Sequence, residues 1–197
     1  MHYLYCQGMI SGYSDGTFRP NASITRGQLS KIVVSAAGLY LLDPEIDPRR
    51  DFEDVPLDNP FYPWITSLAF FDYIEGYPCG GPNEPCVAPD NLPYFRPNAN
   101  VTRGQIAKIV SNAVRIETYP AGQTFTDVPA DHPFYIWVER LASRGVMSGY
   151  PCGGPGEPCD SQQRPYFRTG NNATRGQASK IVHNSVIPQQ PTPGTVK

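Results

Sequence analysis

The chain has 197 residues, of which 40% are hydrophobic and 17% are charged, and its formal net charge is −2. This composition favours a packed globule over a disordered chain, and the balanced charge excludes the basic face that nucleic-acid binding requires. No stretch approaches the length of a membrane span, and the first residues lack the basic and apolar regions of a signal peptide.

The first predicted element is a short stretch that ends in Gly12-Tyr13, and the second is a helix that opens in the phrase ITRGQLSKIV at 24–33. Apolar residues recur along this phrase at helical spacing, which predicts an amphipathic helix. Gly38 predicts the end of that helix, because glycine readily adopts the left-handed conformation of a C-terminal cap.

Two longer copies of the same pattern follow along the chain. Residues 52–77 align without gaps with residues 125–150, and apolar residues at i, i+3, i+4 and i+7 predict a first helix in each. The phrases VTRGQIAKIV (101–110) and ATRGQASKIV (173–182) then open a second helix. We therefore predict three helix-loop-helix repeats and a tail: 1–38, which has only the end of a first helix, 52–114, 125–186, and an extended linker at 187–197.

A single helix pair of this size cannot bury both apolar stripes, since a unit below about 40 ordered residues usually needs a neighbour, a metal or disulfides. The expected solution is that the repeats share one core. We predict an all-α fold in which three repeats pack as a pseudo-threefold prism, with long Pro/Gly-rich loops and with grooves where the repeats meet.

The TRGQ phrase has two interpretations. Thr-x-x-Gln before an apolar run is the pattern of a capping box with Thr25, Thr102 and Thr174 as N-caps. Capping does not explain the arginine at the first helical position, which the helix dipole disfavours, or the glycine at the second, which costs about 1 kcal/mol relative to alanine. These recurring costs favour a ligand-binding or inter-repeat role, with packing alone as the alternative. Arginine beside helix N–H groups would form an anion site.

Together these features resemble the S-layer homology domain. The wording GYSDGTFRPNASITRGQ in the first repeat, and FTDV, GY, FR and TRGQASKIV in the third, are similar to the family's F-x-D-V, G-Y-x-D-G-x-F-x-P and I-T-R-A-E-type motifs. The match covers about residues 2–186. The resemblance implies three modules in a pseudo-threefold prism. It also implies an extracellular, secreted protein that attaches to cell-wall-linked, often anionic, polysaccharide in inter-module grooves.

The resemblance carries the glycan-contacting role to the three motif arginines. The candidate ligand-binding residues are Arg26, Arg103, Arg175, Gly27, Gly104, Gly176, Asp54, Asp127, Trp64 and Trp137. Two alternatives stay open within this set. The aspartates are expected to fix the turn before the first helix rather than to line a groove, and the helical spacing of the tryptophans favours the core over sugar stacking.

Three departures from the family pattern affect these expectations. The family's Ala-Glu is Gly-Gln in all three phrases, so the ligand is expected to differ in detail. The loops at 78–94 and 151–166 carry insertions, and the first repeat lacks the F-x-D-V segment and a counterpart of Trp64. Either the chain is part of a longer protein, or another copy supplies the missing helix by self-association.

The cysteines form two equivalent local pairs in CGGPNEPC and CGGPGEPC. We predict disulfides between Cys79 and Cys86 and between Cys152 and Cys159, which imply an oxidising compartment. A shared zinc site is the rival, but the spacing is wider than zinc sites use. Cys6 is left over in the first helix, where we expect a thiol that is either buried or fortuitous, with one half of an intermolecular bridge as the alternative.

Two functions follow for the chain. The first is a binding module that anchors an extracellular protein to envelope polysaccharide, and the alternative is a structural subunit that assembles into an S-layer or a filament. An enzyme is disfavoured, because no carboxylate pair, nucleophile or metal cluster stands out. We accordingly predict no catalytic residue, no cofactor and no metal.

Overall fold

The computed structural model describes residues 2–187. Met1 and residues 188–197, which hold nearly all of the predicted linker, lie outside the described residues. The described part contains helices and isolated β-bridges but no β-sheet, which confirms the all-α prediction. The helices are α1 (His2–Cys6), α2 (Arg26–Ala37), α3 (Tyr62–Phe70), α4 (Arg103–Ala113), α5 (Tyr135–Ser143) and α6 (Arg175–Val186). In the part of the chain so described, no helix is long and apolar enough to cross a membrane.

Helices α2, α4 and α6 each begin at a complete capping box, as predicted. In α4 the Thr102 hydroxyl accepts the backbone N–H of Gln105, and the Gln105 side chain accepts the N–H of Thr102 in return. Thr25 and Thr174 make the same reciprocal bonds in α2 and α6. This satisfies two backbone donors that a helix start otherwise leaves open. Gly38 ends α2 in the left-handed conformation, also as predicted.

The helices that pack together come from different repeats. Helices α2, α4 and α6 contact one another, while α3 packs on α2, α5 on α4 and α1 on α6. Each first helix therefore buries its apolar face against the second helix of the preceding repeat, and α1 closes the set against the last helix. The apolar side chains form one continuous core, which Leu4, Ile65 and Leu141 enter from the three first helices. The prism shape itself stays a prediction. The single core shared by the three repeats is the feature from which that shape was predicted.

The residues before the three TRGQ phrases hydrogen-bond to one another in a closed cycle. The N–H of Val101 donates to Ile24 O at 3.0 Å, that of Ile24 to Ala173 O at 3.0 Å, and that of Ala173 to Val101 O at 2.9 Å. All three residues are fully buried. The three helix starts are thereby fixed relative to one another at the centre of the molecule.

Two disulfides close the long loops, as predicted: Cys79 with Cys86 and Cys152 with Cys159. The zinc alternative is therefore wrong for these four cysteines. Cys6 lies outside both disulfides and is exposed, so the expectation of a buried thiol is wrong, and the possible intermolecular bridge stays untested.

Candidate functional site

Each motif arginine extends from one repeat into the next. Arg26 is 6% exposed, and its guanidinium donates from Nε to Phe95 O at 2.7 Å and from Nη2 to Glu75 O at 3.1 Å. The same group lies over the Phe95 ring, 4.3 Å from its centroid. Two carbonyls and an aromatic face thus replace much of the water that burial removes from the cation.

The other two arginines repeat this arrangement and complete a cycle. Arg103 donates to Phe167 O at 2.7 Å and Ser148 O at 2.8 Å, and Arg175 to Phe18 O at 3.0 Å and Ser11 O at 2.8 Å. The first repeat thus holds the second, the second holds the third, and the third holds the first. These contacts agree with the interpretation that the arginines join one repeat to the next.

Burial also affects the pKa of two of these guanidinium groups. Desolvation lowers the pKa of Arg26 and Arg103 from the ordinary arginine value, and nearby tyrosine and aspartate side chains partly oppose that effect. An arginine remains protonated in proteins despite such a shift. The seams between repeats therefore contain fixed positive charges.

The helix N-terminal N–H groups are also taken by the neighbouring repeat. The N–H of Arg103 donates to Asn171 O and that of Gly104 to Thr169 O, each at 2.9 Å, and the starts of α2 and α6 make equivalent bonds. An anion would have to displace these carbonyls. The interpretation of this helix start as an anion site made by free N–H groups is therefore wrong.

The motif glycines allow close contact with the next repeat. A Cβ atom on Gly27 would lie 2.6 Å from the Phe61 ring, and one on Gly104 would lie 2.6 Å from the Phe134 ring. Real Cβ atoms do not approach other atoms this closely. On Gly176 the nearest atom would instead be Pro20 O at 3.1 Å. The structure places these glycines against atoms of the neighbouring repeat, the Phe61 and Phe134 rings and the Pro20 carbonyl, rather than in an open site.

The two candidate aspartates hold a distant segment of their own repeat. Both carboxylate oxygens of Asp54 accept backbone N–H groups, from Phe95 at 2.7 Å and Arg96 at 2.6 Å. Asp127 binds the equivalent residues of the third repeat in the same way. Because Phe95 O accepts the Arg26 side chain, Asp54 positions the carbonyl that joins two repeats. These hydrogen bonds reach a distant segment rather than staying within the turn before the helix, and the role of the aspartates toward a ligand stays a prediction.

Three equivalent grooves lie along the seams, with cavity volumes of about 160, 170 and 230 Å³. Each combines the segment that leads to a Gly-Tyr pair, a glutamine, a lysine and an isoleucine from one repeat with the arginine of the preceding repeat. Groove A is lined by 9–13, Gln28, Lys31, Ile32, Phe61 and Arg175; groove B by 73–77, Gln105, Lys108, Ile109, Phe134 and Arg26; groove C by 145–150, Gln177, Lys180, Ile181 and Arg103.

The lysines are the groove residues that sequence reasoning missed. Lys31, Lys108 and Lys180 each line one groove, and they are the lysines of residues 2–187. The signal was their identical position in all three TRGQ phrases. Each lies five residues after its own arginine, about 140° around the helix, which from the sequence alone favours a solvated side chain. In a groove each lysine instead meets the arginine of the preceding repeat.

The two tryptophans lie at the edge of grooves A and B. Lys31 Nζ is 4.9 Å from the centroid of the Trp64 ring, and Lys108 Nζ is 5.1 Å from that of Trp137. Both rings are half-buried against the core, and Trp137 Nε1 also donates to Asn112 Oδ1 at 2.9 Å. The tryptophans thus position the lysines and serve the core, but they do not line the groove cavities.

The S-layer homology domain is the family whose sequence model matches this chain, at residues 1–30 and 124–179. Similar curated proteins include a cellulosome-anchoring protein of Acetivibrio thermocellus, 26% identical over 147 residues, or 74% of this chain and 29% of that protein. A surface-layer 125 kDa protein of Lysinibacillus sphaericus is 26% identical over 148 residues, which is 75% of this chain and 11% of that protein. An endoglucanase of a Bacillus species is 25% identical over 182 residues, but that stretch is 16% of the enzyme.

Residues 1–30 and 124–179, under half of the chain, match the S-layer homology family, and the similarity to cell-surface and surface-layer proteins supports an extracellular, cell-surface location of the chain. The chain spans less than a third of the length of each of these relatives. The similarity to anchoring and surface-layer proteins indicates a domain for cell-surface attachment rather than a catalytic domain. The endoglucanase match does not alter this, because it covers a small part of a much longer enzyme.

Proposed function

We propose that the chain attaches to the cell surface by binding an anionic cell-wall polysaccharide in grooves A, B and C. The observation that supports this most strongly is the equivalent placement of Lys31, Lys108 and Lys180, each beside a buried arginine from the preceding repeat. A sugar acid entering a groove meets the lysine at the rim and the fixed arginine charge behind it. Glutamine and backbone groups supply donors and acceptors for sugar hydroxyls.

The three grooves are not identical in charge. In groove B, Lys108 Nζ lies 3.0 Å from Glu75 Oε1, whereas the aligned residues of grooves A and C are Ser11 and Ser148. A carboxylate in this position competes with the ligand for the lysine and repels an anion. Groove B is therefore the weakest of the three for an acidic sugar.

Binding to purified cell-wall sacculi tests the proposal, with co-sedimentation as the measurement. Lys31→Gln and Lys180→Gln should each weaken binding about tenfold, since a charge-assisted hydrogen bond contributes roughly 1.5–3 kcal/mol. Lys108→Gln should weaken it less because of Glu75, and Glu75→Ser should strengthen it. The triple lysine variant should lose about 100-fold or more, as multivalent binding is lost.

Arg144→Gln is the matched control, because it removes an exposed cation that lines none of the grooves. Sacculi from which the acidic sugar substituents have been removed should retain the wild type no better than the triple variant. Equal retention of the wild type and the triple variant on untreated sacculi would contradict the proposal. The lysines suit this test better than the arginines, whose replacement would disturb the seams themselves.

A further inference from the structure

A polar cavity lies between the second and third repeats, at the C-terminal end of α4. Its volume is about 640 Å³, within the range of roughly 300–1,000 Å³ that is usual for ligand sites. We call it the junction cavity, and it is lined by 71–73, 111–112, 115–117, Tyr119 and Arg140. Tyr73 also lines groove B, so the two spaces adjoin at this side chain.

The same position between the first and second repeats is closed by the linker that follows α2. Counted from the TRGQ phrases, Leu42 matches Tyr119, and Leu42 is 5% exposed with its N–H donating to Ser67 Oγ at 2.9 Å. Ser67 is the residue of α3 that aligns with Arg140 of α5. Tyr119 is instead 90% exposed, and the linker that follows α4 leaves the junction cavity open beside Arg140. The fold therefore does not require this opening, which favours a use for it.

Four charged side chains line the junction cavity without pairing. Arg115 and Arg140 bring two guanidinium groups, and the two carboxylates are those of Asp72 and Glu117. Within residues 2–187, none of these four groups takes part in a salt bridge. Arg140 Nε donates to Thr118 O at 3.3 Å, which orients this guanidinium at the wall. Because the two positive and two negative groups balance, the cavity favours a ligand without net charge over an anion.

The uncharged part of the lining combines stacked aromatic rings with hydrogen-bonding groups. The rings of Phe71 and Tyr73 stack with their centroids 5.6 Å apart, and the negative face of an aromatic ring attracts the C–H groups of a sugar. Trp137 Nε1 donates to Asn112 Oδ1 at 2.9 Å, which fixes the amide and leaves its Nδ2 group as a donor. Ser111 is fully buried in the wall, and its hydroxyl has no hydrogen-bond partner among the described residues. Buried hydroxyls are normally hydrogen-bonded, so this wall keeps a polar group that the protein itself does not use.

This lining suits a sugar residue that carries no charge. Each sugar hydroxyl both donates and accepts a hydrogen bond, so a guanidinium and a carboxylate in one cavity serve it with charge-assisted bonds. We propose that the junction cavity binds an uncharged sugar residue of the polysaccharide whose acidic residue enters groove B, an inference that rests on the proposed function of that groove. The polysaccharide passes along Tyr73, and the cavity adds contacts to the groove in which Glu75 weakens the binding of an acid.

Titration of the full chain with an uncharged oligosaccharide tests the proposal. The probe is prepared from the cell-wall polysaccharide by removal of its acidic substituents, and heteronuclear NMR spectra follow the backbone amides of the protein. We expect saturable shifts at 71–73 and 115–119. Arg140→Gln should weaken binding about tenfold, because it replaces a charge-assisted hydrogen bond with a neutral one. Tyr119→Ala should weaken it several-fold through the loss of a ring at the rim.

Two exposed residues outside the junction cavity provide matched controls. Arg144→Gln and Tyr40→Ala should bind the probe as the wild type does, since neither residue lines the cavity. Absence of saturable shifts, shifts confined to groove residues such as Gly76, or equal binding by Arg140→Gln and the wild type would overturn the proposal.

The same probe separates the junction cavity from the grooves. The triple lysine variant should bind the uncharged oligosaccharide as the wild type does, because its substitutions line the grooves. An oligosaccharide that keeps its acidic substituents should bind the wild type more tightly, and Lys108→Gln should reduce that gain. No gain from the acidic substituents would overturn the continuity of the cavity with groove B. Failure of the uncharged probe to bind, together with weak retention of the triple lysine variant on sacculi, would overturn the junction cavity and leave the groove function standing.

Discussion

At the scale of single residues, the arginine of each TRGQ phrase holds two repeats together. Its desolvated charge is compatible with burial only because carbonyls and an aromatic ring replace water around it. The unfavourable position of a cation at a helix N terminus is thus offset by contacts that lie outside the helix. This explains why a cost that is local to the helix recurs three times in the sequence.

Replacement of Arg103 by lysine is expected to lower the free energy of unfolding by about 2–4 kcal/mol. A lysine cannot present the planar fork that reaches both Phe167 O and Ser148 O, so one buried carbonyl loses its donor. Urea denaturation measures the change. The exposed Arg144→Lys serves as the control and should stay within about 0.5 kcal/mol of the wild type. A loss as small as the control's would show that the carbonyls do not depend on the guanidinium.

The candidate site could be predicted from the sequence only where its contacts are local. The capping boxes and the two disulfides join residues a few positions apart, so short patterns were enough to identify them. Lys108 was missed because its groove partner is Arg26, 82 positions earlier, and the role of Asp54 was missed because its partner Phe95 lies 41 residues later. Such pairings depend on how the repeats pack, which periodicity along one helix does not contain.

At the scale of elements, the disulfide loops position the aromatic ring beside each seam. Arg96 forms a bidentate pair with Glu84 at 2.6 Å, and its guanidinium lies 3.9 Å from the centroid of Tyr77. The first repeat achieves this with a short turn, in which Asp15 pairs with Arg19 at 2.6 Å. The long loops are therefore a second way of presenting one carboxylate to one arginine.

Removal of the disulfide by Cys79→Ser and Cys86→Ser is expected to lower the free energy of unfolding by about 2.5 kcal/mol, from the entropy of the small loop that it closes. The equivalent double variant of Cys152 and Cys159 should cost a similar amount. The two losses should add, because the loops lie in different repeats. Urea denaturation of the three variants tests this, with the exposed Cys6→Ser as the control. A stability equal to the wild type's would mean that the Glu84–Arg96 pair orders the loop without the disulfide.

At the scale of the whole molecule, the fold is a closed cycle rather than an open array. In an open array each repeat contacts only its neighbours, and the ends are free. Here Arg175 in the last helix binds Phe18 O and Ser11 O in the first repeat, across 157 and 164 positions of sequence. Local patterns predicted the helices and the need for a shared core. The structure was needed to show that each first helix packs on the second helix of the preceding repeat, because an apolar stripe in the sequence does not specify which other stripe it packs against.

Because the repeats form a closed cycle, we predict that they unfold together in one transition, which an open array of repeats would not do. Arg175→Lys removes a contact between the third and first repeats, yet it should shift a single unfolding transition of the entire molecule to lower urea concentration. Trp64 in the second repeat and Trp137 in the third provide local probes, which single Trp→Phe variants separate by fluorescence, while circular dichroism follows all helices. The three midpoints should coincide in Arg175→Lys and move together relative to the parent.

An open array would instead lose the third repeat first, so that the midpoint reported by Trp137 would fall below that reported by Trp64. Coincident midpoints follow from the core and the hydrogen-bond cycle of Ile24, Val101 and Ala173, in which every repeat contacts both others.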